Sequence, residues 1–313
     1  MGDVRDTLAL RNPHPRDSDI VFDPVEHKYT IAGDTRAFTS VTGVVHDYFE
    51  PFAAEACARA MVRRKDFRKQ TRYEKYIALA DSFADDENGL VSAICASWDA
   101  NGKEQSALGT QLHDAIELAI NTAAARSIAN PGELLDTKQG CEYDYAARFL
   151  DEMQQKGFIP YRTEWRIFDL SACVAGSIDA IFYHPATNTW HMVDWKRSRA
   201  INRFAFGKKV GRKPADRIPD CNYGHYTLQL NAYAYILSKN YGLEVDTMRI
   251  AVFHPDAVEK AAQVFILPDK REVIEAMFNE RAAAAAADFL VGVTDDDILE
   301  AADPPPAKRI RLV

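Results

Sequence analysis

Three residues of the sequence have the types and the spacing needed to hydrolyse a phosphodiester bond. Asp194 and Lys196 flank one residue at the end of a predicted strand, so their side chains point to the same face. Asp179 lies in the preceding predicted strand, within the apolar segment VAGSIDAIF, and comes close to Asp194 if the two strands pair as a hairpin. A charge in an apolar strand is costly unless it is paired or binds a metal ion. Two such carboxylates suit a hard cation, Mg²⁺ or Mn²⁺.

The reaction explains why these residue types belong together. Hydrolysis of a phosphodiester requires that the phosphate charge be neutralised and that water be made into a nucleophile, and a carboxylate-bound divalent ion does both. Lys196 could orient or deprotonate the water or stabilise the charge that develops on the phosphate. The backbone carbonyl of Trp195 is a further candidate ligand. The alternative interpretation is an ordinary ion pair at a strand end, because such pairs are common.

Polar residues in the neighbouring elements favour the catalytic interpretation. The motif GTxxHxxxE places His113 and Glu117 one turn apart on one helix face, and His113 is a candidate third metal ligand. Glu164 lies in the first strand of the group, while Gln229 and Tyr233 share a stripe of the following helix. Each also has a structural alternative: His113 as a buried histidine, Glu164 as a surface acid paired with a nearby arginine, and Gln229 as part of a core helix.

A basic segment separates Lys196 from that helix. Its cationic residues are interleaved with aromatic ones, and the set comprises Arg197, Arg199, Arg203, Lys208, Lys209, Arg212, Lys213, Arg217, Phe204 and Phe206. Basic side chains neutralise phosphates and aromatic rings stack on unpaired bases, so this segment is predicted to guide DNA. Tyr226, on the same helix stripe as Gln229, is added to the candidate DNA contacts. The alternative is a merely solvated loop.

The composition limits the class of protein. Hydrophobic residues make up 47% and charged residues 27% of the 313 residues, which predicts a globular core. The net charge of -8 does not by itself favour nucleic acid, but residues 196–217 hold nine Lys or Arg and one acid. No apolar segment is long enough for a membrane, and no signal peptide is recognisable. Five widely spaced cysteines, with no CxxC pair, indicate a reducing intracellular compartment and not secretion.

The predicted elements set the order in which these residues meet. Hydrophobic periodicity and turn residues predict two helices, three strands, a helix and two strands, at 107–125, 138–156, 161–168, 173–183, 189–195, 223–241, 248–254 and 263–267. Before them we expect a β-hairpin between 23 and 42, with its turn at Gly33-Asp34, and helices near 52–69, 72–85 and 88–99; a last helix spans about 268–290.

The ordered motifs GTxxH, Glu164, GSID, DWK and QxxxY resemble those of the RecB-like branch of the PD-(D/E)XK nuclease superfamily. That branch includes λ-type exonucleases, Cas4 proteins and the mitochondrial genome maintenance exonuclease. The resemblance covers roughly residues 109–254. It implies an α/β (α+β) fold with a restriction-endonuclease-like core, in which a central mixed sheet is flanked by helices, here with an N-terminal β-hairpin and helical extension.

Composition and the extent of the resemblance together divide the chain, and the cysteines limit its cofactors. The parts are a flexible arm (1–20), an N-terminal hairpin and helical region (21–106), a PD-(D/E)XK nuclease core (107–292) and a disordered tail with a basic end (293–313). The iron–sulfur cysteines of Cas4 proteins are absent from the sequence, so neither an Fe–S cluster nor a nucleotide is expected. The fifteen-residue spacing of Asp179 and Asp194 is longer than is common in the family, which implies a longer hairpin.

The same resemblance assigns the inner part of the site. His113, Asp179 and Asp194 would hold the catalytic Mg²⁺ or Mn²⁺, with the Trp195 carbonyl as a further ligand. Lys196 would be the catalytic lysine.

It assigns the outer part as well. Gln229 and Tyr233 would contact the DNA strand near the cut. Glu164 and Glu117 would form an acid pair that serves a second metal ion or supports the ligands. Thr110, from the GTxxH motif, belongs to this supporting set.

We therefore expect a metal-dependent DNA exonuclease that acts on single-stranded or duplex ends in recombination, repair or replication. The alternatives are a structure-specific endonuclease on the same core and a non-cleaving DNA-binding protein. Lys308, Arg309 and Arg311 in the tail resemble a short nuclear import signal, which would make an import receptor a partner and the nucleus the compartment; the alternative is a basic tail without a targeting role. The sequence indicates no oligomeric state.

Overall fold

Eight α-helices and eight β-strands are formed by residues 3–83 and 86–292, which are the residues that this computed structural model describes. The helices are α1 (Thr7–Arg11), α2 (Val41–His46), α3 (Ala54–Val62), α4 (Glu74–Ala80), α5 (Glu87–Arg126), α6 (Cys141–Gln155), α7 (Asn222–Ile236) and α8 (Arg271–Gly292). The strands are β1 (Ile20–Asp23), β2 (Lys28–Ile31), β3 (Asp34–Ser40), β4 (Ile159–Asp169), β5 (Val174–His184), β6 (Thr189–Lys196), β7 (Thr247–Val252) and β8 (Gln263–Ile266).

The strands form one mixed sheet in the order β1-β2-β3-β5-β6-β7-β8, and β4 pairs with β5 outside that order. One edge of β5 pairs antiparallel with β4 from Val174 to Tyr183. Its other edge is shared, because β3 pairs with Val174 and Ala175 while β6 pairs from Ala180 onward. Among the described strands none pairs with residues 176–179 on that edge. The sheet is therefore split beside Asp179.

Helices cover both faces of the sheet. Because strand side chains alternate, Ile181 and Met192 join the core under α2, α7 and α8, while Phe182 and Val193 join the core under α5 and α6. Burial of these two apolar faces is the main driving force that holds the layers together. The prediction of an α+β fold with a central mixed sheet flanked by helices is confirmed.

The core elements follow the predicted order with small shifts at their ends. The hairpin β2–β3 turns at Gly33, whose φ of 76° lies in the left-handed region that glycine tolerates. The helix predicted at 223–241 is α7 followed by a π-helical turn, Leu237–Tyr241, and Gly242 caps it at φ 66°. The helix predicted at 52–69 is shorter, because α3 ends at Val62 and 3₁₀ turns follow.

The helices predicted at 88–99 and 107–125 are one helix, α5, with 40 residues. The intervening polar segment ANGKEQS lacks an apolar face, which suggested a break, but its residues stay largely solvent-exposed and the backbone continues. The first half packs Leu90 and Ile94 against α3 and α4, and the second half packs Leu112 and Ile116 on the sheet. The predicted boundary between residues 106 and 107 thus lies inside a helix.

Residues 3–19 differ from the flexible arm that the sequence suggested. They form α1 and two 3₁₀ turns, which are fixed to the sheet by side-chain hydrogen bonds more than by apolar burial. Asp17 accepts bonds from Arg162 Nη1 and Trp165 Nε1, at 2.8 and 2.9 Å, and Asn12 Nδ2 donates to the Tyr161 carbonyl at 2.8 Å. Such partners are far apart in sequence, so periodicity gave no sign of them.

The tail predicted at 293–313, including Lys308, Arg309 and Arg311, lies outside the described residues. Within the part of the chain that is described, no helix combines the length and apolarity needed to cross a membrane.

Candidate active site

The split in the sheet brings together an imidazole and two carboxylates from three elements. His113 comes from α5, Glu164 from β4 and Asp179 from β5, and one donor atom of each lies within 4.8 Å of the others. His113 Nδ1 is 3.5 Å from Asp179 Oδ2. Glu164 and Asp179 meet because their neighbours pair across β4 and β5, Thr163 with Ala180 and Trp165 with Ile178. These are nitrogen and oxygen donors with the spacing of a metal site.

Asp194 and Lys196 lie on β6 beyond its last pairing with β5. Asp194 is buried, with 2% of its surface exposed, and Lys196 Nζ lies 2.6 Å from its Oδ2. Oδ2 has no further hydrogen-bond partner among the described residues, so the Lys196 ammonium is what compensates its burial. A carboxylate keeps lone pairs beyond one such contact, and these are available to a cation.

The backbone at Glu164 is strained. Its φ of 42° lies in the left-handed region, which a residue with a Cβ seldom adopts and which costs about 1–3 kcal/mol. Ser177 Oγ donates to Glu164 Oε2 at 2.8 Å and fixes the carboxylate beside Asp179. Strain of this kind persists where the surroundings enforce it, and it clusters at functional sites.

The carboxylates of the cluster are buried together and share the positive charge of Lys196. Burial and the neighbouring charge of Asp179 raise the pKa of Glu164 to about 7. Burial and Asp194 likewise raise the pKa of Asp179 well above its usual value. Burial lowers the pKa of His113, and Lys196 lowers it further. Burial opposes the charged form of Lys196, but Asp194 and Asp179 outweigh it and raise its pKa.

Glu117 lies one turn after His113 on α5 and close to the cluster. Burial and the charge of Glu164 raise the pKa of Glu117 to about 7, against the effect of Arg5. Arg5 Nε lies 3.6 Å from Glu117 Oε2. The predicted acid pair of Glu117 and Glu164 is thus placed together, at the edge of the site.

The helix α7 brings its predicted residues to the same split. Gln229 Nε2 donates to the Tyr233 hydroxyl at 3.3 Å, and the Tyr233 ring lies against Gly176. A Cβ at Gly176 would be 2.7 Å from Tyr233 Cε1, so only glycine leaves room for the ring. Lys196 Nζ lies 4.9 Å from the centre of the Tyr226 ring, which is cation–π distance.

Thr110, predicted to support the ligands, and Trp195, whose carbonyl was predicted as a metal ligand, are placed differently from each other. Thr110 is exposed, and its hydroxyl donates to the Ser106 carbonyl of its own helix at 3.2 Å, so it does not reach the cluster. An exposed helix hydroxyl commonly satisfies itself in this way. The Trp195 backbone N–H donates to Asp179 Oδ2 at 2.7 Å.

The basic segment between β6 and α7 is exposed at nine of its ten predicted DNA contacts. These are Arg199, Arg203, Lys208, Lys209, Arg212, Lys213, Arg217, Phe204 and Phe206. Several have partners on the protein surface: Arg212 Nη1 is 3.2 Å from Glu280 and Lys209 Nζ is 2.6 Å from Glu50. Such exposed pairs are weak and compete poorly with a phosphate backbone.

Arg197 is the exception. Its side chain is 8% exposed, and its guanidinium binds Glu142 Oε1 at 3.1 Å and the side chain of Gln105. It therefore joins the end of β6 to α5 and α6 and is not available to DNA. The prediction treated Arg197 as one more cation in a charged run, and nothing local distinguishes it; its partners are 55 and 92 residues away.

Three contributors were missed. Ser177 belongs to the quoted GSID motif, but its hydroxyl was not assigned. Asn121 continues the spacing of His113 and Glu117 by one further turn; it is fully buried, and its Nδ2 donates to Thr163 Oγ1 at 2.7 Å, which anchors α5 to β4. The i, i+4, i+8 spacing on α5 was the signal that could have identified it. Glu142 gave no comparable signal.

The chain matches no protein-family model and no curated protein. The residues themselves still fit a divalent cation, on two observations of the structure. The donor set is one imidazole nitrogen and carboxylate oxygens, which are ligands for Mn²⁺ and, for the oxygens, Mg²⁺. The buried Asp194 carboxylate, which pairs with Lys196 at 2.6 Å, lies beside that set and adds a further oxygen donor.

Proposed function

We propose that this protein is a divalent-metal-dependent deoxyribonuclease that hydrolyses phosphodiester bonds from free DNA ends. The observation that carries the proposal is the cluster of His113, Glu164 and Asp179, with donor atoms within 4.8 Å, beside the pair of Asp194 and Lys196. An ordinary strand-end ion pair does not explain three further titratable groups around it. Several charged groups buried at one point oppose folding, and their presence together therefore favours a functional role.

The residues have separate tasks in this proposal. His113, Asp179 and Asp194 would hold Mg²⁺ or Mn²⁺, with Glu164 completing the carboxylate side. When bound, the ion would neutralise charge on the scissile phosphate and lower the pKa of water. Glu164 is fixed by Ser177, and Asp179 by the Trp195 N–H, so both acceptors are oriented before any ligand arrives.

Lys196 would act on the phosphate. Its stem is fixed at the end of β6, and Asp194 and the Tyr226 ring lie on two sides of its ammonium group. A lysine ammonium carries three hydrogen-bond donors, so Lys196 would donate to a phosphate oxygen as charge develops there. Gln229, which is half-buried, would contact the strand next to the cut from α7. Tyr233 is 5% exposed and packs against Gly176, so contrary to the prediction it would hold Gln229 through their hydrogen bond and not contact DNA itself.

The topology supports a restriction-endonuclease-like core of the RecB-like type. The order α5 and α6, then β4, β5 and β6, then α7 and β7, contains the helix–three strands–helix–strand order of the PD-(D/E)XK superfamily that the motifs resemble, with α6 as an additional helix. In this protein β4, β5 and β6 pair antiparallel, and β7 returns parallel to β6 through α7. The motif residues Asp179, Asp194 and Lys196 lie at the split between β5 and β6.

The exposed basic and aromatic side chains between β6 and α7 support DNA as the substrate. This segment leaves the active site directly at Lys196 and returns to it at Tyr226 on α7. A strand bound along it would therefore be continuous with the site. Nine of the predicted contacts in this segment are exposed, whereas the whole chain has a net charge of -8. The basic character is therefore local to the segment.

The test is cleavage of labelled DNA by the purified protein. Linear single-stranded and duplex DNA, each labelled at the 5′ or the 3′ end, and covalently closed circles are incubated with Mg²⁺, Mn²⁺ or EDTA. We expect metal-dependent release of short products from linear DNA and none from closed circles. Asp194→Ala should abolish cleavage, whereas Asp99→Ala, at an exposed acid of α5, should not.

Other results would identify the alternatives. Equal cleavage of closed circles would replace the exonuclease by an endonuclease on the same core. DNA binding without cleavage, and without heat of divalent-ion binding in calorimetry, would indicate a non-cleaving DNA-binding protein.

A further inference from the structure

A second cleft lies beside the active site, between the end of α2, the start of α3 and the basic segment. Its volume is about 1010 Å³, at the upper end for pockets that bind organic ligands. Its lining includes His46, Phe49, Phe52, Phe206, Lys209 and His225. None of these except Phe206 and Lys209 was a candidate functional residue in the sequence.

Aromatic rings make up much of the lining of the cleft. Phe49 and His225 lie with ring centres 4.1 Å apart, and His46 and His225 lie 5.5 Å apart. Phe52 and Phe206 are largely exposed, at 71% and 96%. Phe52 packs on Trp98 of α5, whereas Phe206 has no aromatic neighbour among the described residues. Two phenyl rings that face a cleft without being buried offer stacking surfaces to a planar ligand.

The charges of the cleft are balanced inside and positive at its rim. Its acids are each engaged: Glu50 by Lys209 at 2.6 Å, Asp220 by His225 at 3.0 Å, and Asp47 by Arg281 at 3.3 Å. Lys208 and Lys209 follow Phe206 almost directly, and both are exposed. An uncharged planar group therefore suits the interior, and an anionic backbone suits the rim.

The first turn of α7 connects this cleft with the active site. His225 lines the cleft, and the next residue, Tyr226, lies over Lys196 at 4.9 Å. The two places are thus separated by about the width of one helix, roughly 10 Å. A strand with a phosphate at Lys196 would therefore have its neighbouring nucleotides within reach of the cleft.

We propose that this cleft binds an unpaired base of the DNA strand, stacked against Phe206 and Phe52, and that the protein therefore acts on single-stranded or frayed ends. The inference rests on the proposed nuclease function and specifies its substrate class. A base inside a duplex cannot enter the cleft, because both of its faces are already stacked on the neighbouring bases. The contact is stacking on the face of the base and not hydrogen bonding to its edge, so the site accepts all four bases.

The test measures binding separately from cleavage. Affinity for a fluorescent 20-nucleotide single strand is measured by anisotropy in EDTA, for the natural protein and for Phe206→Ala, Phe206→Trp and Phe52→Ala. A second series of strands carries one abasic site, moved along the sequence. The control is Val25→Ala, which removes an equally exposed apolar side chain from the β1–β2 turn.

We expect Phe206→Ala to weaken single-strand binding about tenfold, the effect of losing one stacked base. Phe206→Trp should bind like the natural protein, and binding to a blunt duplex should change little. One position of the abasic site should weaken binding by the natural protein by the same factor. At that position the abasic site should not weaken binding by Phe206→Ala any further. That non-additivity identifies the base that Phe206 contacts.

The contrary results are equally specific. An equal loss on single strand and blunt duplex, or additive effects of the abasic site and Phe206→Ala, would overturn the base site while metal-dependent cleavage still stands. A natural protein that neither binds nor cleaves DNA would overturn both this inference and the proposed function.

Discussion

The backbone N–H of Trp195 donates a 2.7 Å hydrogen bond to the Asp179 carboxylate at the point where β6 separates from β5. Beyond Ala180 and Val193 the two strands no longer pair, so this side-chain bond takes the place of a ladder bond. It satisfies a backbone donor that the split would otherwise leave unpaired. It also fixes Asp179 facing His113, and the local geometry of the site is therefore set by the topology of the sheet.

Asp179→Asn should remove metal binding and yet stabilise the metal-free protein. Burial and the charge of Asp194 raise the pKa of Asp179, so its ionised form opposes folding, and a neutral amide of the same shape relieves this. We expect a gain of about 1 kcal/mol, or ~2–4 °C in Tm, in EDTA. Thermal unfolding and Mn²⁺ calorimetry check the two effects; a lower Tm with unchanged Mn²⁺ binding would contradict the assignment.

Lys196→Met should separate catalysis from metal binding. The ammonium is assigned to the phosphate and not to the ion, so kcat should fall by about 10²–10³, the usual effect of removing one preorganised donor. Mn²⁺ affinity should stay within a few-fold of the natural value. Lys28→Met, at an exposed lysine of β2, serves as the matched control. Full activity in Lys196→Met would refute the role given to this lysine.

The metal-free protein should lose stability as pH rises between about 4.5 and 7. Burial and Asp179 raise the pKa of Glu164 from 4.5 to about 7, so the folded protein holds this proton more tightly than the unfolded chain does. The stabilisation is present below pH 4.5 and is lost by pH 7. Urea unfolding across this range in EDTA measures the slope. Glu164→Gln should flatten it, and saturating Mn²⁺ at pH 8 should restore stability; an unchanged slope in Glu164→Gln would contradict the prediction.

Arg197→Ala should destabilise the fold by about 3 kcal/mol because it leaves the buried Glu142 carboxylate unpaired. The double variant Arg197→Met with Glu142→Leu should recover much of this loss, since an apolar pair of similar volume needs no partner. Chemical denaturation gives both values. If Arg197→Ala weakened DNA binding at full stability, the residue would be a DNA contact after all.

The exposed cations of the same segment should behave in the opposite way. Lys208→Ala and Arg217→Ala should leave stability nearly unchanged and should each lower the slope of log affinity against log salt by about 0.7 for a single strand. Anisotropy titrations at several salt concentrations measure that slope. Variants with the natural slope would exclude contact of these two side chains with phosphate.

The sequence predicted those parts of the site that share an element. Asp194 with Lys196 and His113 with Glu117 follow directly from strand alternation and helix spacing. The arrangement of these pairs around one split could not be derived, because it depends on which edge of β5 is shared by β3 and β6. Side-chain anchors between distant segments were invisible for the same reason, and so Asp17 and Arg197 were misjudged: the first as part of a flexible arm, the second as a free cation.

The long helix α5 connects the active site to the N-terminal helical region. Trp98, which supports Phe52 at the second cleft, and His113, which belongs to the metal cluster, lie on this one rod about 22 Å apart. One continuous helix therefore carries both a neighbour of the second cleft and a member of the metal cluster.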